Sequence, residues 1–172
     1  MKTKLLIVFA CGLAAVCVAR AAEAAKPVAQ VTVTFVTPEK FTDVRDGLMD
    51  SEKDRDYLLG EIKAHIESLG QKYLTAGQSL EIKVTDVDLA GDFEPWHGIN
   101  FDHIRILKDI YPPRMTLEFR LTSADGKVVS EGKRRLQSIG YLMTLALPTH
   151  DHLRYDKEMI HDWMRQEFRH AS

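Results

Sequence analysis

Few residues in this chain are spaced for chemistry. Of its seven histidines, His150-Asp151-His152 is the pair whose spacing suits a metal. In an extended segment two imidazoles one residue apart lie on the same face. With His161 or a carboxylate they could hold zinc or copper. The competing reading is a polar loop leading into the last helix, capped by Asp151 or a neighbour. No His-Glu-x-x-His occurs, and His152 to His161 is not a helical ligand spacing. The loop reading is favoured, and His150 and His152 stand only as weak metal candidates.

Acids gather at Asp86, Asp88, Asp92 and Glu94. Paired carboxylates can carry glycosidase chemistry or bind calcium, but this spacing matches no calcium loop. A solvated acidic strand end is favoured. Phe93-Glu94-Pro95-Trp96-His97 places aromatics beside acids, which could stack on a sugar or a peptide. The favoured alternative is that Phe93 and Trp96 pin a long loop onto the core. Arg105, Asp109 and Arg114 surround Pro112-Pro113 and read as an ion-pair network rather than an anion site. Lys133-Arg134-Arg135 is diluted as a basic patch, because strand alternation sends Arg134 to the opposite face. Leu136-Gln137-Ser138-Ile139-Gly140 carries only the second half of a serine nucleophile elbow. No phosphate-binding glycine loop appears. Candidate ligand or partner contacts are therefore Asp88, Glu94, Trp96, His97, Arg105 and Arg114, all on the 88–114 loop. No catalytic residue is assigned and no cofactor is expected.

The elements that position these residues follow from apolar periodicity. Val31, Val33 and Phe35 alternate with Thr32 and Thr34, a half-buried strand ended by Pro38. Ser51 with Asp54 resembles a capping box. Tyr57, Leu58, Ile62, Ile66, Leu69 and Tyr73 then predict an amphipathic helix over about 52–74, closed by Gly77. Leu80, Ile82 and Val84 alternate before the phase flips to Val87 and Leu89, so a bulge is expected near 85–86. Residues 90–113 are the longest irregular stretch, with a short strand expected within 103–107. Met115, Leu117, Phe119 and Leu121 form a strand, Asp125-Gly126 a hairpin turn, and 128–136 the return, weakened or bulged at Gly132. Residues 140–147 are apolar and ambiguous. Ile160, Trp163, Met164 and Phe168 mark a last helix over about 153–169. The order argues an α+β fold, two-layer, with two amphipathic helices on one face of a four- to five-stranded, mostly antiparallel sheet.

The N-terminus carries the compartment. Lys2 and Lys4 precede an uncharged run from Leu5 to Ala19, and Ala19-Arg20-Ala21 and Ala22-Glu23-Ala24 offer small-x-small cleavage sites. That order is a secretory signal peptide. The expected organisation is a signal over 1–21, possibly to 24, a loose leader over 22–29 and a single domain over 30–170. Both cysteines, Cys11 and Cys17, fall inside the signal, so the mature domain has neither disulfides nor thiol catalysis. The uncharged run is shorter than the ~20 residues of a spanning helix, so the mature protein should be soluble. The whole chain has net charge −2, and loss of Lys2, Lys4 and Arg20 makes the mature chain more acidic. That balance argues against nucleic acid and against docking on anionic lipid by bulk charge. Asn100, the only asparagine, starts no glycosylation sequon, which fits a bacterial periplasm.

The chain resembles the exported proteobacterial family called domain of unknown function 3016. The resemblance rests on Val33-Thr34-Phe35 with Pro38 and Phe41-Thr42-Asp43, on Asp86 to Pro95, on Ile104-Arg105-Ile106 with Asp109 to Arg114, and on Leu153-Arg154-Tyr155 with Asp162-Trp163. It covers about 30–168 and implies no activity, so no residue inherits a role. The expectation is a periplasmic, non-enzymatic binding or envelope-accessory module whose partner is an unidentified periplasmic protein or small ligand. The alternative is a periplasmic hydrolase or metal-dependent enzyme with its site on the 88–114 loop. Mass analysis of the exported protein should find a mature N-terminus just after Ala21 or Ala24. A lipidated Cys17 would contradict the soluble product.

Overall fold

The computed structural model describes residues 28–47, 51–97, 104–144 and 150–169. The signal peptide over 1–21 and most of the leader lie outside the described residues.

Four strands form one sheet in the order β1-β2-β5-β6. β1 (Gln30–Phe35) runs parallel to β2 (Ser79–Asp88), and β2, β5 (Arg114–Thr122) and β6 (Val128–Gln137) are antiparallel. A separate ribbon pairs β3 (Asp92–Phe93) with β4 (Arg105–Ile106). Between β1 and β2 the chain makes α1 (Glu52–Tyr73), and after β6 it makes α2 (Arg154–Phe168). The fold is α+β with a mostly antiparallel main sheet, as the sequence order predicts.

The register explains the core. Val33, Ile82 and Phe119 lie opposite one another across three strands, and all three are buried. Leu58, Leu59, Ile62, Ile66 and Leu69 of α1 and Ile160, Trp163, Met164 and Phe168 of α2 close over the same cluster. Trp163 and Phe168 meet the Phe119 ring edge-on at 5.9 and 5.6 Å. The other alternation phase carries charge, with Arg120–Glu131 and Lys133–Glu118 paired across β5 and β6. Arg134 leaves that charged face, stacks over Phe119 and binds Glu167 of α2, as alternation requires.

Local signals mostly place their elements. The Ser51 hydroxyl accepts from the Asp54 amide at 3.4 Å and starts α1. The β2 register shifts between Val84 and Asp86, where the flipped apolar phase predicts the bulge. Asp125-Gly126 turns the β5–β6 hairpin, with Gly126 at φ +82°. Two expectations are corrected and an open one is answered in part. Tyr57 is exposed, because the buried stripe of α1 begins at Leu58. The β6 irregularity lies opposite Leu121 and Thr122, while Gly132 pairs with Phe119 in register. A Cβ at 132 would meet the Arg134 guanidinium at 2.8 Å, so the glycine makes room for that cation on the Phe119 ring. Within the ambiguous 140–147 stretch, Tyr141–Met143 is a 3-10 turn, and 145–149 lie outside the described residues.

Trp163→Ala should cost ~3–5 kcal/mol in denaturant melts, as large core truncations do. Trp163→Phe should cost far less, since the indole Nε1 is buried without a hydrogen-bond partner.

Candidate functional site

The bulge sets the geometry at the open end of the sheet. Beyond it, Asp86 accepts from the Thr42 amide at 2.8 Å and hydroxyl at 3.0 Å. This draws the 41–45 segment alongside β2, where Asp43 bridges Asp88 in parallel fashion. The Asp43 amide donates to the Val87 carbonyl, and the Leu89 amide donates to the Asp43 carbonyl. Gly91 then turns the chain at φ +82° under the β4 backbone, so close that a Cβ would meet the Ile106 carbonyl oxygen at 2.8 Å.

Arg105 occupies the centre of this end. Its guanidinium donates to the Asp43 carboxylate and to the Gly91 carbonyl, both at 2.9 Å, and to the Arg45 carbonyl at 2.8 Å. It stacks 4.7 Å over the Phe93 ring, which Arg45 also approaches at 5.5 Å. Arg45 shares Asp43 through its Nε at 2.8 Å. Beside this cluster Arg114 binds Asp88 at 2.7 Å. Burial pushes the Asp88 carboxyl above the ordinary range, against the opposing pull of Arg114.

Glu94 is only 1% exposed. Lys108 Nζ donates to both of its oxygens at 2.7 Å, and the Tyr111 hydroxyl donates to one at 3.0 Å. The Lys108 carbonyl in turn accepts from the buried Tyr141 hydroxyl at 3.0 Å. Glu94 is thus an internal anchor tying three loops, not an exposed ligand group. The acidic strand end is likewise paired rather than merely solvated. Of the two expected loop pins, Phe93 is buried and Trp96 is 70% exposed. His97 ends the 3-10 turn Pro95–His97, but its side chain lies outside the described part, as do Phe101 and His103.

Beside Arg105 a cleft of about 390 Å³ opens between the 89–90 and 150–155 segments. Arg45, Arg105, Arg154, His150 and His152 line it together with Asp46, Asp151 and apolar Leu58, Leu107 and Leu153. Its charges are partly paired: Arg45 and Arg105 share Asp43, and Lys157 binds Asp151 at 2.8 Å. His150 and His152 join no group of three metal-ligand atoms among the described residues. The group that does form there is Glu158, His161 and Asp162, within 4.8 Å of one another. Two of its residues already hold other partners: His161 Nε2 shares a 2.7 Å hydrogen bond with Tyr73, and Asp162 Oδ1 accepts from Arg165 at 2.7 Å. We read the group as a polar helix surface.

Behind the cleft wall lies Asp156, 2% exposed. One carboxyl oxygen accepts from the Ala90 amide at 3.2 Å, and the other is buried without a partner. Burial pushes this carboxyl up to about 7, while the Ala90 hydrogen bond and Arg105 pull the other way. Sequence reading passed over Asp156, although its spacing from Leu153, Ile160 and Trp163 sets it on the core face of α2. As site residues it also passed over Arg45 and Lys108, and over Asp43 and Tyr111, which it read only as part of the family resemblance. Of the expected contacts, Asp88, Glu94, Arg105 and Arg114 are brought to one end of the sheet, and all four are committed to ion pairs.

A model of the family described as Protein of unknown function (DUF3016) matches residues 29–166, from the lead into β1 through most of α2. No curated protein matches the chain.

Glu94→Ala should lower stability by ~1–3 kcal/mol, because Lys108 and Tyr111 lose their shared acceptor while Lys108 can still turn to water. Asp156 makes stability depend on pH with a definite sign. Its carboxyl sits at 3.8 in the reference state and at about 7 in the fold, so the folded chain holds the extra proton. Stability from this group therefore falls as pH rises through that window. Asp88 shifts in the same direction. Asp156→Asn should flatten the fall in melting temperature across the window; an unchanged slope would place the dependence elsewhere.

Proposed function

Because the chain belongs to that family of unknown function, the reading rests on its own surface. We propose a periplasmic, non-enzymatic binding or envelope-accessory module that docks a partner through the loop end of its sheet. The observation that carries this reading is an apolar surface on a braced support. Trp96, Ile104, Leu107, Ile110, Ile139, Leu142 and Met143 are all exposed there. Ile139 and Met143 reach 85% and 87% exposure. The two loops that bear them are tied by Tyr141 to the Lys108 carbonyl and by the Ser138 amide to the Pro113 carbonyl. Exposed apolar groups concentrated in one region mark interaction sites, and braced loops lose little entropy on docking.

The hydrolase alternative would draw on Asp88, Glu94 and His97. Arg114 holds the first acid, and Lys108 with Tyr111 holds the second in a buried position. A general acid or base must reach the proton it moves, and these pairings favour binding over hydrolysis. No helix among the described residues is long and apolar enough to cross a membrane, which is compatible with a periplasmic product.

The test is cross-linking in intact cells, followed by mass spectrometry, on the native protein and on the Ile139→Asp/Met143→Asp variant. Stability should stay within ~0.5 kcal/mol, since both side chains are on the surface. A partner captured by the native protein should be lost at least ~10-fold, the equivalent of about 1.4 kcal/mol of binding. Equal capture by both proteins would contradict docking at this end.

A further inference from the structure

We propose that Asp156 is a protonation-operated latch between the two walls of the cleft: the neutral acid seats the first turn of α2 on the 89–91 turn, and loss of its proton releases that turn. One wall contains Leu89 and Ala90, the other Leu153, Arg154 and Tyr155. Asp156 follows the second wall directly and accepts the Ala90 amide of the first. It thereby joins the two walls from behind.

The arrangement suits the neutral form and penalises the ionised one. An unpartnered buried oxygen is tolerable on a neutral acid, but an uncompensated buried charge costs far more. The groups that act on Asp156 from neighbouring elements offer little relief. Arg105 of β4 attracts it, yet that guanidinium is already bound to Asp43 and to two carbonyls. Asp88 of β2 repels it, and Tyr141 of the 141–143 turn is neutral at ordinary pH and would be held neutral by it. An ionised Asp156 is relieved by reaching water, which requires the first turn of α2 to lift from Ala90. The helix has a pivot for this on its α1 side. Lys157 binds Glu61 there at 3.2 Å, and its carbonyl hydrogen-bonds His65 at 3.0 Å. Neither contact involves Asp156. The carboxyl value of about 7 sets the transition near neutrality.

Amide hydrogen exchange of the full mature chain tests this between about pH 5 and about pH 9, corrected for the intrinsic pH dependence of exchange. Opening of peptides over 86–91 and 150–157 should rise about tenfold per pH unit as pH climbs toward the transition, where opening releases one proton, and should level off above about 7, where the seated acid has already lost it. A peptide over 114–122 should not change. Asp156→Asn should abolish the rise. The Asp156 carboxyl carbon, followed by NMR in the unaltered protein, should titrate near neutrality and keeps the test decisive if the variant does not fold. Equal protection at both ends of the range, the same rise in Asp156→Asn, or a carboxyl titrating near the ordinary Asp value would each overturn the latch.

Discussion

The guanidinium of Arg105 holds together stretches of chain that are far apart in sequence. It binds Asp43 ahead of α1, the Arg45 carbonyl and the Gly91 carbonyl, and it rests on Phe93. Only a planar fork with several donors can serve acceptors in so many directions at once. The β3–β4 ribbon has two residues per strand and would not hold by backbone pairing alone. Arg105 belongs to that ribbon, so its side-chain bonds fix the ribbon against the main sheet. The positions of Phe93, Glu94 and the cleft wall at Ala90 follow from it.

The same end of the molecule concentrates buried acid. Asp43, Glu94 and Asp156 are all buried, and the first two are matched to cations. A matched buried pair contributes little net stability, but it penalises every arrangement that separates the partners. These pairs therefore specify where loops sit more than they stabilise the fold. Asp156 departs from the rule, with a backbone amide on one oxygen and nothing on the other. Stability in the fold comes chiefly from the apolar cluster that Phe119, Trp163 and Phe168 share, and polarity near the loops sets shape.

What the sequence revealed follows the range of each signal. Strand alternation, the Ser51 cap, the Asp125-Gly126 turn and the phase flip beyond Val84 act over a few residues, and each placed its element. The stripe of α2 was legible for the same reason. The site was legible only as composition. Asp43 and Arg105 lie 62 residues apart, and Lys108 reaches Glu94 across 14. No periodicity encodes which acid meets which base across a fold. Aromatic content predicted that the 88–114 loop would be anchored, but could not separate buried Phe93 from exposed Trp96. Asp156 had a readable signal: an acid at core-facing helical spacing asks what satisfies it.

Native-state hydrogen exchange over 88–97 and 104–113 tests most directly whether Arg105 braces this end into one unit. The account predicts that amides hydrogen-bonded there, Leu89 and Gly91 among them, exchange as slowly as those of β5 in the unaltered protein. In Arg105→Ala both segments should lose that protection together while β5 keeps its own. Rapid exchange of these segments in the unaltered protein, or protection that survives the loss of Arg105, would contradict it.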